Sequence, residues 1–366
     1  MGVCRLCNHT SPTISDTLGM CLDCIRSRPD EARILSAEIH ARVRKAFGLP
    51  GEPPDDPAGV PCKRCVNRCR IPPGETGCCG IRRNIAGRLT GADARTGKLS
   101  WYRDPLPTNC VGDRVCPGGT GAGFPKYAHC QGPEKGYYNL AVFFQACTFN
   151  CLYCQNWHFR RETFTSPFRR ADELAAAVND RTSCICYFGG DPSAQMPFSL
   201  YTARLARKKQ SGKILRICWE TNGSVNEKLL DEMIDLALES GGCIKFDLKA
   251  WDETLHFALT GATNRQTLSN FQRAAQRIRE RPVPPPVIAS TLLVPGYIDD
   301  REIGKLAAFI ASEDPAIPYS LLAFYPHFYM ADLPLTTRTQ AEQCVQAATG
   351  AGLSRLRLGN VHLIQA

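Results

Sequence analysis

No apolar run in this 366-residue chain approaches the roughly 18 to 20 residues that span a bilayer. The N-terminus has no basic patch followed by an apolar core, so the expectation is no signal peptide and a cytoplasmic protein. No basic run is long; the densest stretches, Arg204 to Lys213 and Arg277 to Arg281, suit helix surfaces or ends. The net charge of +9 therefore argues weakly for nucleic acid, and an anionic cofactor or peptide partner accounts for it equally well. Collagen-like, disordered and membrane classes are excluded by 43% apolar and 22% charged residues.

Cysteine is abundant. There are 20, many in C-x2-C pairs, and without an export signal such pairs favour metal over disulfide. Three regions separate. Residues 1–50 hold a four-Cys segment followed by a helix, with Leu35, Ile39, Val43 and Phe47 on one face. Residues 48–61 are a linker by composition. Residues 62–137 are rich in Cys, Gly and Pro, as expected of a metal-stapled, loop-rich segment. From 138 to 366 strands and helices alternate. Strands are expected at Asn139–Phe144, Cys184–Phe188, Ile214–Trp219, Cys243–Leu248, Val287–Leu293 and Tyr319–Phe324. Helices are expected near Ala171–Val178, Lys228–Glu239, Leu268–Arg279, Arg301–Ser312 and Thr339–Ala348. Six such units predict an α/β fold, a partial (β/α)6 TIM-like barrel with N-terminal Cys-rich metal-binding extensions. Its chemistry belongs at the C-terminal strand ends.

The first strand runs into Cys147-x3-Cys151-x2-Cys154, with Tyr153 before the last Cys. Three thiolates on one tight loop can ligate three irons of a cubane and leave the fourth open. The plainer alternative is part of a zinc or electron-transfer site.

C-x3-C-x2-C at the end of a first barrel strand resembles the radical S-adenosylmethionine (SAM) superfamily. The resemblance implies a 4Fe-4S cluster whose open iron binds the amino and carboxylate groups of SAM. One electron then yields methionine and a 5′-deoxyadenosyl radical that abstracts hydrogen from a protein, peptide or small-molecule substrate. It also implies that Tyr153 lies near the adenine, and that an electron donor such as a flavodoxin or ferredoxin is needed. Gly189-Gly190-Asp191-Pro192 resembles the family's G-G-E-P motif, which receives the SAM amino group, with Asp191 in place of Glu. The run from Glu220 through Asn222 to Gly223 resembles a ribose-contacting stretch. Asp247-Leu248-Lys249 resembles a D-x-K motif near the SAM carboxylate, and Val294-Pro295-Gly296 resembles an apolar wall against adenine. The last two point to relatives of pyruvate formate-lyase activating enzyme. Cys62-x2-Cys65-x3-Cys69, Gly77-Cys78, Gln155-Asn156-Trp157 and the tail Phe324 to Met330 are similar to AmmeMemoRadiSam-system radical SAM proteins, a resemblance that supplies no substrate.

Cys4, Cys7, Cys21 and Cys24 form C-x2-C-x13-C-x2-C, a spacing that closes a four-thiolate site for structural zinc or a rubredoxin-like iron. Cys62, Cys65, Cys69 and Cys78, with Cys79 as a rival, suit an auxiliary 4Fe-4S cluster or a second zinc. Cys110, Cys116 and Cys130 have no diagnostic spacing. Cys184, Cys186, Cys218 and Cys243 fall on expected strands, where buried free thiols are the ordinary expectation. Gly118 to Gly123 lacks the strand and helix of a nucleotide loop. Tyr325 and His327 follow the last expected strand and suit either a substrate contact or a packed aromatic rim. The competing function is a non-enzymatic iron–sulfur electron carrier or a zinc-ribbon scaffold, which would not bind SAM.

Overall fold

A computed structural model describes residues 1–365. Its centre is one eight-stranded sheet. The strands are β1 (Leu99–Pro105), β2 (Tyr138–Phe144), β3 (Thr182–Phe188), β4 (Arg216–Thr221), β5 (Ile244–Asp247), β6 (Val287–Leu293), β7 (Tyr319–Ala323) and β8 (Leu356–Gly359). They pair in chain order, all parallel except β1, which runs antiparallel to β2. All six expected strands are present. Two were not foreseen, because β1 (LSWYRDP) and β8 (LRLG) alternate polar and apolar residues and form the sheet edges. The inner strands are apolar on both faces, as helix-covered parallel strands must be.

The edges do not pair with each other, so the barrel is open. The chain after β1 bridges the gap: Asp113 pairs with Arg357 of β8, and Ser320 Oγ of β7 donates to the Val111 carbonyl at 3.3 Å. Beneath this bridge Arg216 forms a bidentate pair with Glu134 at 2.9 and 2.7 Å, with both side chains buried. Removing one partner of such a pair costs about 3–5 kcal/mol.

The helices are α1 (Pro29–Lys45), α2 (Ala171–Ala176), α3 (Met196–Lys209), α4 (Glu227–Ser240), α5 (Glu253–Thr260), α6 (Arg265–Ala275), α7 (Asp300–Glu313) and α8 (Arg338–Gly350). Side-chain caps start several of them: the Asn226 amide oxygen accepts from Lys228 N–H at 3.0 Å, and Asp299 from Glu302 N–H at 2.9 Å. α7 buries Ile303, Leu306, Ala307 and Ile310, a 3–4 spacing against the sheet. α3 was not anticipated; its Lys/Arg-rich C-terminal end obscures the buried face of Phe198, Leu200, Ala203 and Ala206.

The N-terminal segment pairs Gly2–Val3 with Thr10–Ser11 and adds a short helix, Leu22–Ser27. It docks on the loop after β6. The Tyr297 hydroxyl accepts from Ser15 N–H at 3.0 Å and donates to the Met20 carbonyl at 3.1 Å, while Arg26 pairs with Asp299 and Glu302. Among the described residues no helix is long and apolar enough to cross a membrane.

Candidate functional site

The loop after β2 is held from three sides. Asn150 and Leu152 N–H donate to the Thr260 and Leu259 carbonyls at the end of α5, at 2.7 and 3.0 Å. The Asn150 amide meets His40 Nδ1 of α1 at 2.8 Å. Asn67, from the upstream Cys-rich segment, donates to the Thr148 carbonyl at 2.8 Å. This loop carries Cys147, Cys151 and Cys154. All three thiols face one cavity of about 230 Å³ at the C-terminal ends of the strands. Burial pushes all three up in pKa, Cys151 to about 12, so ionised thiolates there need positive charge or a metal. Arg160, almost fully buried, supplies part of that charge and offsets part of the rise at Cys154. No sequence motif pointed to it; an Arg six residues past a Cys loop is not distinctive.

The same cavity is lined by Tyr153, Gly189, Gly190, Asp191, Glu220, Asn222, Asp247 and Lys249. Gly190 has φ +45°, and a Cβ there would sit 2.3 Å from the Ala146 carbonyl oxygen, so only glycine fits. Asp191 is buried, and burial raises its pKa. Its carboxylate accepts from the Ser193 and Asn222 N–H groups at 2.7 Å each, and from the Thr221 hydroxyl at 3.2 Å. The side chain thus ties the β3 and β4 ends together. The Asn222 amide donates to Thr148 Oγ1 at 2.8 Å and lies 3.9 Å from Cys147 Sγ. Lys249 is paired with Asp247 and lies 5.8 Å from the centre of the Tyr153 ring. Burial works against the Lys249 charge, but Asp247 and Tyr153 outweigh it and raise its pKa. Glu220 pairs with Lys245 at 2.7 Å.

Three expected contacts do not line this cavity. Pro192 is buried at the start of a short 3-10 turn, and Val294 and Pro295 are buried behind β6. Ser290 and Leu292 of β6 line the wall instead. Gly296 packs on Thr13, so the Val-Pro-Gly turn faces the N-terminal segment. Tyr325 and His327 lie outside the cavity as well, in an aromatic group with His158.

Elsewhere, the ligand atoms of Cys4, Cys7, Cys21 and Cys24 all lie within 4.8 Å of one another, with Cys7 and Cys21 sulfurs 3.8 Å apart. Four sulfurs this close suit a tetrahedral metal ion. Cys62, Cys69 and Cys78 pack around Ile71. The Cys65 thiol, raised mainly by burial, is raised further by Cys79, Cys69 and Cys62, while Cys78 lies nearer Arg44 and Arg160. Both Cys78 and Cys79 therefore border the set.

Residues 141–310 match the family model of the Radical SAM superfamily. A putative glycyl-radical enzyme activating enzyme of Methanocaldococcus jannaschii is 28% identical over 185 residues, 50% of this chain and 67% of that protein. Pyruvate formate-lyase 1-activating enzyme of Escherichia coli K12 is 29% identical over 167 residues, 44% of this chain and 63% of that protein. The chain thus spans about two thirds of the length of these relatives. Streptococcus suis SuiB, solved with S-adenosylmethionine bound, overlaps 60% of this chain and 48% of its own at 12% identity and a TM-score of 0.41. Residues 141–310 are a radical SAM domain, and the chain is similar to activating enzymes of that superfamily.

Proposed function

We propose that the chain is a radical SAM enzyme with its reacting centre in the cavity below Cys147, Cys151 and Cys154. A 4Fe-4S cluster on these thiols would supply the electron that splits SAM into methionine and a hydrogen-abstracting 5′-deoxyadenosyl radical. The observation that carries this is convergence: three thiols, two glycines and two ion pairs, drawn from four strand ends, meet in one cavity of about 230 Å³. Three thiols leave one iron without a protein ligand, as catalytic sites require. Asp247 and Lys249 offer a charge pair for the zwitterionic end of SAM. Tyr153 offers an aromatic face, and the backbone at Gly189 and Gly190 lines the cavity, where an ammonium group would lie against it. Burial keeps water from the radical.

Activating enzymes act on protein partners, so a protein or peptide is the preferred substrate class, as their names suggest. The upstream motifs support placement among the AmmeMemoRadiSam-system proteins. A flavodoxin or ferredoxin would supply the electron, in the reducing cytoplasm. We assign structural zinc to Cys4, Cys7, Cys21 and Cys24. An auxiliary cluster is assigned to Cys62, Cys65 and Cys69, with Cys78 or Cys79 as the fourth ligand.

The test is anaerobic reconstitution with SAM and dithionite. 5′-Deoxyadenosine well above a Cys151→Ala control is expected. Product at the control level, with SAM binding absent, would instead favour the electron-carrier function.

A further inference from the structure

Below the radical SAM cavity the barrel holds a second cavity of about 420 Å³. Phe188, Glu220 and Lys245 line both. Six cysteines line the lower one: Cys110, Cys116, Cys184, Cys186, Cys218 and Cys243.

Their positions follow from the pleat. Alternate residues of a strand face the barrel interior. Cys186 and Cys218 are register partners on β3 and β4. Cys243, just before β5, accepts the Trp219 N–H on its carbonyl at 3.0 Å, which sets its thiol beside Cys218. The two sulfurs are 4.0 Å apart. This is no disulfide, whose sulfurs would lie about 2.05 Å apart. It is close to the separation, about 3.8 Å, of two thiolates sharing one tetrahedral ion with bonds of about 2.3 Å. Cys110 enters from the bridging loop. Lys245 Nζ stands between it and Cys186, at 3.0 and 3.3 Å, and its remaining partner is Glu220.

Six thiols line this space, and the buried Lys245 ammonium directs its three donors at two sulfurs and a carboxylate. Neutral thiols are weak acceptors, whereas thiolates bound to iron are strong ones. Hydrogen bonds to cluster sulfurs are a recognised means of setting cluster potentials.

We propose that Cys110, Cys186, Cys218 and Cys243 hold an iron–sulfur cluster inside the barrel, with Lys245 donating to two of the ligand sulfurs. The site is separate from Cys147, Cys151 and Cys154 and from the upstream cysteine groups. It does not depend on SAM cleavage.

The test uses the full chain, reconstituted anaerobically with ferrous iron and sulfide. Iron, zinc and acid-labile sulfide per chain and Mössbauer spectra are compared for four proteins. These are the unchanged chain, Cys186→Ser/Cys218→Ser, Cys110→Ala and Cys147→Ala/Cys151→Ala/Cys154→Ala. The strand double variant should lose one cluster's iron and sulfide while the mouth cluster still accepts SAM. The mouth triple variant should keep the spectrum that the double variant loses. Cys110→Ala, in a loop, should lose more than half of that same spectrum and keeps the test valid if the strand variant fails to fold. Iron and sulfide unchanged in both Cys110→Ala and any folded double variant would overturn the proposal. So would zinc without sulfide at these thiols. Loss from the mouth triple variant alone, with the other variants unchanged, would overturn it as well.

Discussion

Lys245 Nζ lies 2.7 Å from Glu220 Oε1, and this ion pair stands at the level where the two cavities of the barrel meet. The partners are unequal: the Lys245 side chain is 4% exposed and that of Glu220 36%. A buried charge that loses its partner costs more than an accessible one. Glu220→Gln should therefore destabilise the chain by about 3 kcal/mol, and Lys245→Met by about 1 kcal/mol, since Glu220 can turn to water. Denaturant midpoints at constant slope measure both, and the reverse order would refute the assignment.

Gly190→Ala is expected to weaken SAM binding by displacing the backbone that lines the cavity. The added methyl would strike the Ala146 and Phe144 carbonyl oxygens, at 2.3 and 2.5 Å, and the residue would keep a left-handed φ. Calorimetric titration of the reconstituted protein should show SAM affinity down at least about tenfold, a loss of about 1.4 kcal/mol or more. Unchanged affinity would remove this backbone from the SAM site.

The N-terminal metal should be separable from the barrel chemistry. Cys7→Ser is expected to lower bound zinc by about one ion per chain. It should also raise amide exchange in residues 1–28 and around Tyr297, whose hydroxyl ties Ser15 and Met20 to the loop after β6. Zinc content equal to that of the unchanged protein would rule out this ion at the four-thiol site.

His40 introduces an acid limit. Burial lowers its pKa to about 4, and His256 behaves alike. An imidazole neutral in the fold but free to protonate once unfolded near pH 6.5 adds stability above that pH. The contribution is lost as pH falls from about 6.5 to about 4. Each histidine accounts for at most roughly 3 kcal/mol over this window. His40→Gln should flatten the fall in unfolding free energy between pH 6.5 and 4; parallel curves for the two proteins would show that His40 does not contribute.

The Cys147–Cys154 loop was legible because its three cysteines lie within eight residues and follow an apolar strand, so local spacing alone places them together. The same holds for Cys4, Cys7, Cys21 and Cys24, whose two knuckles close one donor set. The Val-Pro-Gly turn shows the limit. Its composition suits an apolar wall, yet Gly296 packs on Thr13 and Leu292 takes the wall position, because strand length and pleat decide which residue looks inward.

The sequence by itself determined the alternation of apolar strands with helices, the local cysteine motifs and the absence of a membrane-spanning run. Those are properties of neighbours along the chain. Only the tertiary structure decided that Cys110 lies across Lys245 from Cys186, and that Cys218 meets Cys243. Strand register and the path of the bridging loop bring these side chains together across up to 135 positions of sequence, and both are set by packing of the whole barrel.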